Sequence, residues 1–498
     1  MMVPFLLTVL SALLYALSFP PISFFPLAWV ALVPFFLLAS MARPIYAAGY
    51  GILWGILTAY GVGWWLPEML ADYFAVSLIV GWLGFFAVSI GLIGIYYGAF
   101  ATWLSWLVRR QAANPFVIAA GWGMCEFARA NLFGGNPWML SGYSQVPLNR
   151  LMQLADATGP YGIGMLIAAV NALFAGFCMP ALRGRRFAIS SMGIAAVFGF
   201  AFLYGEWRLS HTFDTGEPVE VAVIQGAVER QYRWNPEHRT ASLDRYLALT
   251  KEVTAVRPRF IFWPEYAVDF YLQEEVPERQ ALLSMTQDLG ADLILGGLSY
   301  RYGVSDLFYR NSVFLLRRGR LTGRYDKIRL LPFAEEATFG RRFFQDQLTY
   351  EPGRRLHTLH AGNAQIGAFV CFEAMYPDVA RTLALQGAEV FTNPANDDWL
   401  GYAAPARHHL DIATVRAIEN RRYLVRPTAT GFSAIINPYG QTLARSSFGT
   451  PTVLTGAIRL SQVQTPYQRW GDAAAWIAVV WVVVVSLYHL GWHKRKHQ

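Results

Sequence analysis

Eight long apolar runs dominate the sequence, near residues 4–20, 24–42, 46–66, 74–107, 113–134, 158–181, 187–206 and 473–492. A helix of about 20 apolar residues crosses the hydrocarbon core of a bilayer. A lipid-exposed segment must also satisfy its own backbone hydrogen bonds, which a helix does. The runs therefore predict a polytopic α-helical membrane protein with eight spans. Composition agrees: 54% of residues are hydrophobic and only 15% charged, where soluble domains run near one-quarter charged. That balance excludes a disordered or collagen-like chain and a small disulfide scaffold. The first run lacks a basic leader and a small-residue cleavage site, so it reads as an uncleaved anchor.

Charge sets the expected topology. With eight spans, Arg43, Arg109, Arg110, Arg183, Arg185, Arg186, Lys494, Arg495 and Lys496 all fall on one side, and only Arg150 lies in a short loop opposite. Short loops rich in Lys and Arg stay in the cytoplasm. The fourth run is long enough to hide two spans, but splitting it would put Arg43 opposite Arg109 and Arg110. Left whole, it gives two cytoplasmic termini and places residues 207–472 outside the cytoplasm. The expected divisions are a seven-helix domain over 1–206, an extramembrane domain over 207–472, and a last helix with a basic tail over 473–498. Within the spans, Glu126 and Arg129 stand three apart on one helix and are expected to pair across a turn. A polar contact to a lipid headgroup is the alternative. Trp138 and Tyr143 read as interface anchors, which makes Trp138 a candidate for lipid contact.

The net charge of +8 comes with no zinc-finger spacing or lysine-rich tract, so no nucleic-acid partner is expected. Cys125 and Cys178 lie in apolar runs and read as inert buried thiols. Cys371 alone lies in the extramembrane stretch. That domain therefore has no internal disulfide, and an unpaired thiol in an oxidising compartment stands out.

From residue 219 the pattern changes to short apolar strands: 219–224, 260–263, 293–295, 367–370 and 390–392. Helical stretches fall at 240–256, 275–289, 376–386 and 405–420. Phe308 to Tyr325 reads as a hairpin turning at Arg318-Gly319-Arg320, and a second hairpin pivots on Asn437-Pro438-Tyr439-Gly440. Buried strands alternating with helices argue a layered α/β domain. Three polar residues follow such strands: Glu265 after Phe260-Ile261-Phe262-Trp263-Pro264, Lys327 after Arg324-Tyr325-Asp326, and Cys371 after Gly367-Ala368-Phe369-Val370. Strand ends in layered α/β folds face a common crevice. Only Lys251 and Lys327 are lysines in the domain, among many arginines, and a retained lysine suits a compact point charge.

If the three converge, their chemistry follows. A free thiol is only slightly ionised near neutral pH. Glu265 takes its proton as general base. Cys371 attacks an acyl carbonyl, and Lys327 with the backbone N–H of Phe372 stabilises the oxyanion. The product is a thioester, which a second nucleophile resolves.

The motifs Trp263-Pro264-Glu265, Asp326-Lys327 with Leu331-Pro332-Phe333-Ala334-Glu335, and Cys371-Phe372-Glu373 together resemble the nitrilase superfamily. Eight spans around such a domain are similar to the apolipoprotein N-acyltransferase family, its membrane-bound branch. The resemblance implies an αββα sandwich with Glu265 as base, Lys327 as oxyanion partner and Cys371 as nucleophile. It implies that Glu335 orients the lysine or a reacting group. It also implies that Trp234 lies near lipid, and that Glu373 and Trp399 occupy further motif positions. Family members often carry tyrosine where this chain has Phe372, so only the backbone N–H of that residue remains for chemistry. Glu336 reads as a solvated neighbour.

The implied reaction moves an acyl chain from a phospholipid to the N-terminal amine of a diacylglyceryl-cysteine lipoprotein. It runs by ping-pong through a thioester and closes lipoprotein maturation at a bacterial inner membrane, with the catalytic domain in the periplasm. Two stretches suit lipid contact. The 330–344 loop interleaves Phe333, Phe339, Phe343 and Phe344 with Arg341 and Arg342, and Trp399, Leu400 and Tyr402 form a second lip. The alternative is a membrane-tethered amidase that hydrolyses a C–N bond. A transporter or scaffold would need more polar residues in its spans than Glu126 and Arg129. Adjacent His408 and His409 point about 100° apart on a helix, which suits one metal poorly. Surface or helix packing is expected for them, and neither a metal nor a cofactor is expected for the protein.

Overall fold

The computed structural model describes residues 2–178, 185–211, 216–228, 239–303, 306–332, 334–336 and 348–496. The chain divides into two compact units, Met1–His211 with Trp470–Gln498, and Thr212–Arg469.

Every apolar run becomes helical in the first unit. Among the described residues, five of the resulting helices are long and apolar enough to cross a membrane: Pro44–Val62, Leu78–Arg109, Ala155–Cys178, Phe187–Ser210 and Ala473–Leu490. The expectation of eight full-length helices is thereby narrowed. Met2–Leu17 and Phe25–Met41 are shorter apolar helices, and Pro115–Asn131 has 17 residues. The second run breaks into the turn Phe25–Leu27 and the helices Ala28–Ala31 and Val33–Met41. Pro26 and Pro34 sit where new turns start and remove a helical N–H each. The fourth run stays whole over 32 residues, with a wider π-helical turn at Ile90–Gly94. Small residues let it lie tight on Pro44–Val62: a Cβ on Gly55 would sit 2.7 Å from the Gly94 Cα. A short helix, Leu66–Tyr73, has no counterpart among the apolar runs because Glu68 and Asp72 interrupt it.

The buried charges of this unit depart from expectation. Glu126 takes its hydrogen bonds from the Ser141 N–H at 2.7 Å and the Ser141 hydroxyl at 3.0 Å. Arg129 donates to the Asn136 carbonyl. The two side chains thus hold the 136–141 segment, whose backbone groups need partners away from water, in place of pairing across a turn. Asp156 accepts from Arg208 and from the Tyr204 hydroxyl, each at 2.6 Å. Tyr143 is buried, not an interface anchor, whereas Trp138 is half-buried with its ring 5.8 Å from that of Trp65.

Among the described residues, the second unit has twelve strands. They are β1 Pro218–Gln225, β2 Phe260–Phe262, β3 Asp292–Tyr302, β4 Leu307–Arg317, β5 Arg320–Asp326, β6 Leu359–Ala361, β7 Ala364–Ala368, β8 Val390–Thr392, β9 Tyr423–Arg426, β10 Ala434–Ile436, β11 Thr442–Arg445 and β12 Thr452–Arg459. They form two six-stranded sheets, ordered β12-β1-β2-β3-β4-β5 and β11-β10-β9-β8-β7-β6. Parallel pairs β1–β2, β2–β3, β7–β8 and β8–β9 occupy the sheet centres.

Alternation along each strand sorts the core into layers. In β1, Val221 and Val223 face the other sheet and meet Ile366, Val390 and Val425. Ala222 and Ile224 face outward, with Leu243 of helix Arg239–Lys251 and Leu282 of helix Pro277–Leu289. Across the sandwich, Phe391 and Leu424 pack under Leu383 of Pro377–Leu385 and Leu410 of Ala403–Asn420. The result is the expected αββα arrangement. Both hairpins form, the first turning at Arg318 and Gly319 with φ +49° and +71°, the left-handed pair a tight hairpin favours. The sequence pattern did not disclose β6, β9 and β12. The last of these returns across eight residues to pair with β1.

Candidate active site

Three strands deliver the three candidate residues. β2 stops at Phe262, and Trp263-Pro264 leads into Glu265; Pro264 has no N–H to extend the ladder. The turn passes hard against β3, where a Cβ on Gly296 would lie 2.5 Å from the Glu265 Cα. β5 stops at Asp326, and the N–H of Lys327 donates to the Asn311 carbonyl on β4 at 2.8 Å. β7 stops at Ala368, and Cys371 opens the short 3₁₀ turn Cys371–Met375. Cys371 has φ +50°, a left-handed conformation that costs a non-glycine residue about 1–3 kcal/mol and persists only where its surroundings enforce it. Its N–H donates to the Pro394 carbonyl at 2.8 Å.

The side chains meet out of water: Glu265 and Cys371 are each 3% exposed and Lys327 2%. Lys327 Nζ lies 2.7 Å from Glu335 and 3.7 Å from Glu265. The Cys371 thiol and the Glu265 carboxylate act on each other electrostatically. The N–H of Asn396 donates to Glu265 at 2.8 Å. Asn311 Nδ2 bridges the two carboxylates, 2.6 Å from Glu265 and 2.8 Å from Glu335. Glu335 further accepts from the Leu331 N–H at 2.8 Å and the Tyr266 hydroxyl at 3.3 Å.

One cation between two carboxylates drives their proton affinities apart. Burial lifts Glu265 above the usual carboxylate range; Lys327 opposes the rise and Glu335 adds to it. Burial acts on Glu335 too, but Lys327 and the hydrogen bonds from Asn311 and Leu331 outweigh it and lower that carboxyl. For Lys327, burial works against the charge, and Glu335 and Glu265 overcome it, so the ammonium is held more firmly than an ordinary lysine. Burial pushes the Cys371 thiol well up, and Glu265 pushes it further. Both directions favour a resting sulfur that keeps its proton near a carboxylate of raised proton affinity. Glu335 stays ionised and anchors the lysine.

Glu373 joins the two sheets at this point. It accepts from the N–H groups of Ile328 and Val370 at 2.7 Å and of Arg329 at 3.0 Å, and from the Tyr325 hydroxyl. Phe372 follows the nucleophile with its ring 5.5 Å from that of Tyr376. Its N–H lies in the first turn of the 3₁₀ helix, where amides lack an intrahelical acceptor. Among the described residues no cluster of three or more metal-ligating side chains occurs.

Comparison with known proteins matches both halves of the chain. Residues 11–173 match the family described as apolipoprotein N-acyltransferase N-terminal domain, and residues 220–467 match carbon-nitrogen hydrolase. The apolipoprotein N-acyltransferase of Geobacter metallireducens is 31% identical, covering 97% of this chain and 94% of that one. The chain belongs to the apolipoprotein N-acyltransferase family. The family's enzyme from Methylococcus capsulatus is 30% identical over 94% of this chain and 92% of its own. Among solved structures, a carbon-nitrogen hydrolase from Helicobacter pylori aligns at 18% identity and TM-score 0.40, covering 52% of this chain and 94% of that one.

Glu265, Lys327, Cys371 and Glu335 converge, while Phe372 follows the nucleophile in sequence and Glu373 bonds the backbone on both sides of the seam between the sheets. Trp399 is half-buried on the turn Asp398–Leu400, two residues beyond Asp397. Leu400 is buried and so is not part of a lip, while Tyr402 is exposed. Glu336 is exposed, as expected. Trp234, Phe333, Phe339, Arg341 and Arg342 lie outside the described residues.

Several contributors escaped the sequence. Asn311 and Asn396 each donate to Glu265, and Tyr266 donates to Glu335. Asn311 did leave a trace, as a polar residue inside the otherwise apolar core-facing stretch of β4. His408 and His409 are buried, not on the surface. The Nε2 of His409 lies 3.1 Å from the Cys371 carbonyl oxygen, and its Nδ1 lies 2.9 Å from Asp397.

Proposed function

We propose that the chain moves an acyl group from a phospholipid to the N-terminal α-amine of a diacylglyceryl-cysteine lipoprotein, by way of a thioester on Cys371. One observation carries the chemistry: a buried thiol and a buried Glu265 gathered with a lysine whose Nζ lies 2.7 Å from Glu335 and 3.7 Å from Glu265. The Cys371 sulfur attacks the ester carbonyl of the donor while its proton passes to Glu265. The carbonyl oxygen becomes an oxyanion, which Lys327 and the Phe372 N–H stabilise. The C–O bond breaks, Glu265 returns the proton to the departing alcohol, and lysophospholipid leaves. The acceptor amine then attacks the thioester and gives a proton to Glu265. The C–S bond breaks, and the sulfur recovers a proton.

Both substrates need the same sulfur, so the order is ping-pong. An α-amine has a pKa near 7.7–8.0, so a usable fraction is neutral around pH 7. Membrane attachment suits the donor. Moving an acyl chain of about 15 methylenes into water costs on the order of 12 kcal/mol. A domain bracketed in sequence by apolar helices avoids that transfer. The charge pattern favours eight membrane crossings, cytoplasmic termini and a periplasmic catalytic domain at the bacterial inner membrane, and cysteine tags on each side test it.

Reconstituted protein given labelled phospholipid and a diacylated lipopeptide is expected to yield N-acylated peptide, and with phospholipid alone an acyl adduct on Cys371. Turnover with no adduct on intact-mass measurement would remove the covalent route. Free fatty acid as the sole product would point instead to an amidase.

A further inference from the structure

Behind the candidate nucleophile lies a second polar cluster that the mechanism above does not use. Asn393 and Asp397 follow β8, Arg426 ends β9, and His409 sits in the middle of helix Ala403–Asn420. All four are buried to 1% exposure or less. The Nη2 of Arg426 lies 3.1 Å from Asp397 and 3.0 Å from His409 Nδ1, and its Nη1 donates to Asn393. A buried charge pair of this kind is usually only a packing element. Here the cluster ends on the backbone of Cys371. His409 Nε2 stands 3.1 Å and Asn393 Nδ2 3.3 Å from the Cys371 carbonyl oxygen. A carbonyl only accepts, so Nε2 carries the hydrogen. Nδ1 faces both Asp397 Oδ1 at 2.9 Å and Arg426 Nη2 at 3.0 Å.

We infer that His409 is a positioning residue that aims the Phe372 amide at the developing oxyanion. The inference rests on the acyl-transfer reading of the site. The 371–372 peptide is planar and trans, so its C=O and N–H point in opposite directions. Holding the carbonyl therefore fixes the direction of the Phe372 N–H. A hydrogen bond to the carbonyl also polarises the peptide and strengthens that N–H as a donor. The same grip helps keep Cys371 at φ +50°, so sulfur and amide are oriented by one peptide plane. Arg426 ties Asp397, Asn393 and His409 together, and Asp397 and Arg426 hold the imidazole by Nδ1 with Nε2 facing the carbonyl.

The test uses the full chain in nanodiscs and two reactions of one sulfur. A p-nitrophenyl ester acylates Cys371 through an oxyanion. Iodoacetamide alkylates it by displacement at carbon and forms none; labelling at Cys371 is read by peptide mass spectrometry. His409→Phe is expected to slow acylation at saturating ester about 10- to 100-fold, part of the loss that follows removal of an oxyanion donor. The ester KM and the alkylation rate should stay within about threefold, and His409→Gln, which retains a donor, should recover most of the acylation rate. Parallel loss of acylation and alkylation would overturn the inference, as would acylation within about threefold of the parent or a Gln variant no faster than Phe. Asn393→Ala removes the second grip and gives an independent reading should the Phe variant fail to fold. The same split is expected, and parallel loss counts against it. A parent that accepts the nitrophenyl ester but not phospholipid would refute the lipid donor without touching this inference.

Discussion

In the helical unit, Glu126, Arg129 and the Asp156–Arg208 pair are spent on the chain itself: they hold a segment whose backbone lacks water, or tie two helices. In the α/β unit, Glu265, Lys327, Glu335 and Glu373 gather where strands of both sheets end, and three of the four converge around a thiol. The surfaces differ in the same sense. The first unit leaves large apolar side chains such as Leu83, Phe200, Leu203 and Trp476 exposed along its long helices, as a protein solvated by lipid does. The second unit gathers apolar side chains into three layers of core, although Tyr302, Leu385 and Leu443 stay exposed. The named buried charge of the helical unit serves the fold alone, whereas in the α/β unit the charge proposed for chemistry stands beside charge such as Glu373 that holds the fold, and mutation should distinguish the two roles.

The strongest test of that separation is Cys371→Ala. Acyl transfer should fall by about 10⁴-fold or more, with no acyl adduct by intact mass and an unchanged melting temperature. Next comes Lys327→Met. It leaves Glu265 and Glu335 without their cation, so kcat should drop about 10²- to 10³-fold. Stability should also fall by about 3–5 kcal/mol, because the pair is buried. A Met variant that turned over within tenfold of the parent would show that the lysine is structural.

A smaller effect is expected at Asn311. The base works when ionised, and burial has already raised the pKa of Glu265. The acid limb of the pH–rate profile should therefore lie above the ordinary carboxylate value of about 4.3. Asn311 donates to the ionised carboxylate and so opposes that rise. Asn311→Leu should move the acid limb to higher pH and lower the rate about tenfold at neutral pH. An unmoved limb would assign the base elsewhere. On the alkaline side Lys327 should cause no loss below the ordinary lysine pKa, since its carboxylate partners raise it.

The smallest catalytic effect belongs to the helical unit. Glu126→Gln weakens the hold on Ser141 and should cost about 1–3 kcal/mol of stability in detergent. Acyl transfer per folded molecule should change by no more than about twofold. Loss of transfer at unchanged stability would break the proposed division of labour.

The convergence of the three candidates was legible because each follows an apolar strand, and a strand end is visible in one dimension. The two hairpins were legible because their turns need left-handed residues, and Arg318-Gly319 and Asn437 to Gly440 announce them. What stayed hidden depends on contacts between distant positions. Asn311 meets Glu265 across 46 residues, and Asn396 meets it across 131. His409 sits in a helix whose periodicity explains it equally well as core, and only the folded chain sets it behind Cys371. In the helical unit, hydropathy located every apolar helix but could not foresee that the second would break at its prolines. Nor could it tell that Glu126 and Arg129 serve a loop.

Glu373 gives the molecule one further property. Lys327 is carried by one sheet and Cys371 by the other, so a small slide of sheet on sheet would change the distance between ammonium and sulfur. The Glu373 carboxylate takes hydrogens from Tyr325, Ile328 and Arg329 on one side of that seam and from Val370 on the other. It acts as a rivet through two plates. Substitutions that loosen the sandwich core should therefore lower the melting point well before they spoil the alignment of sulfur and ammonium, and variants selected for cold or heat can drift in their valines and isoleucines while the reacting atoms keep step.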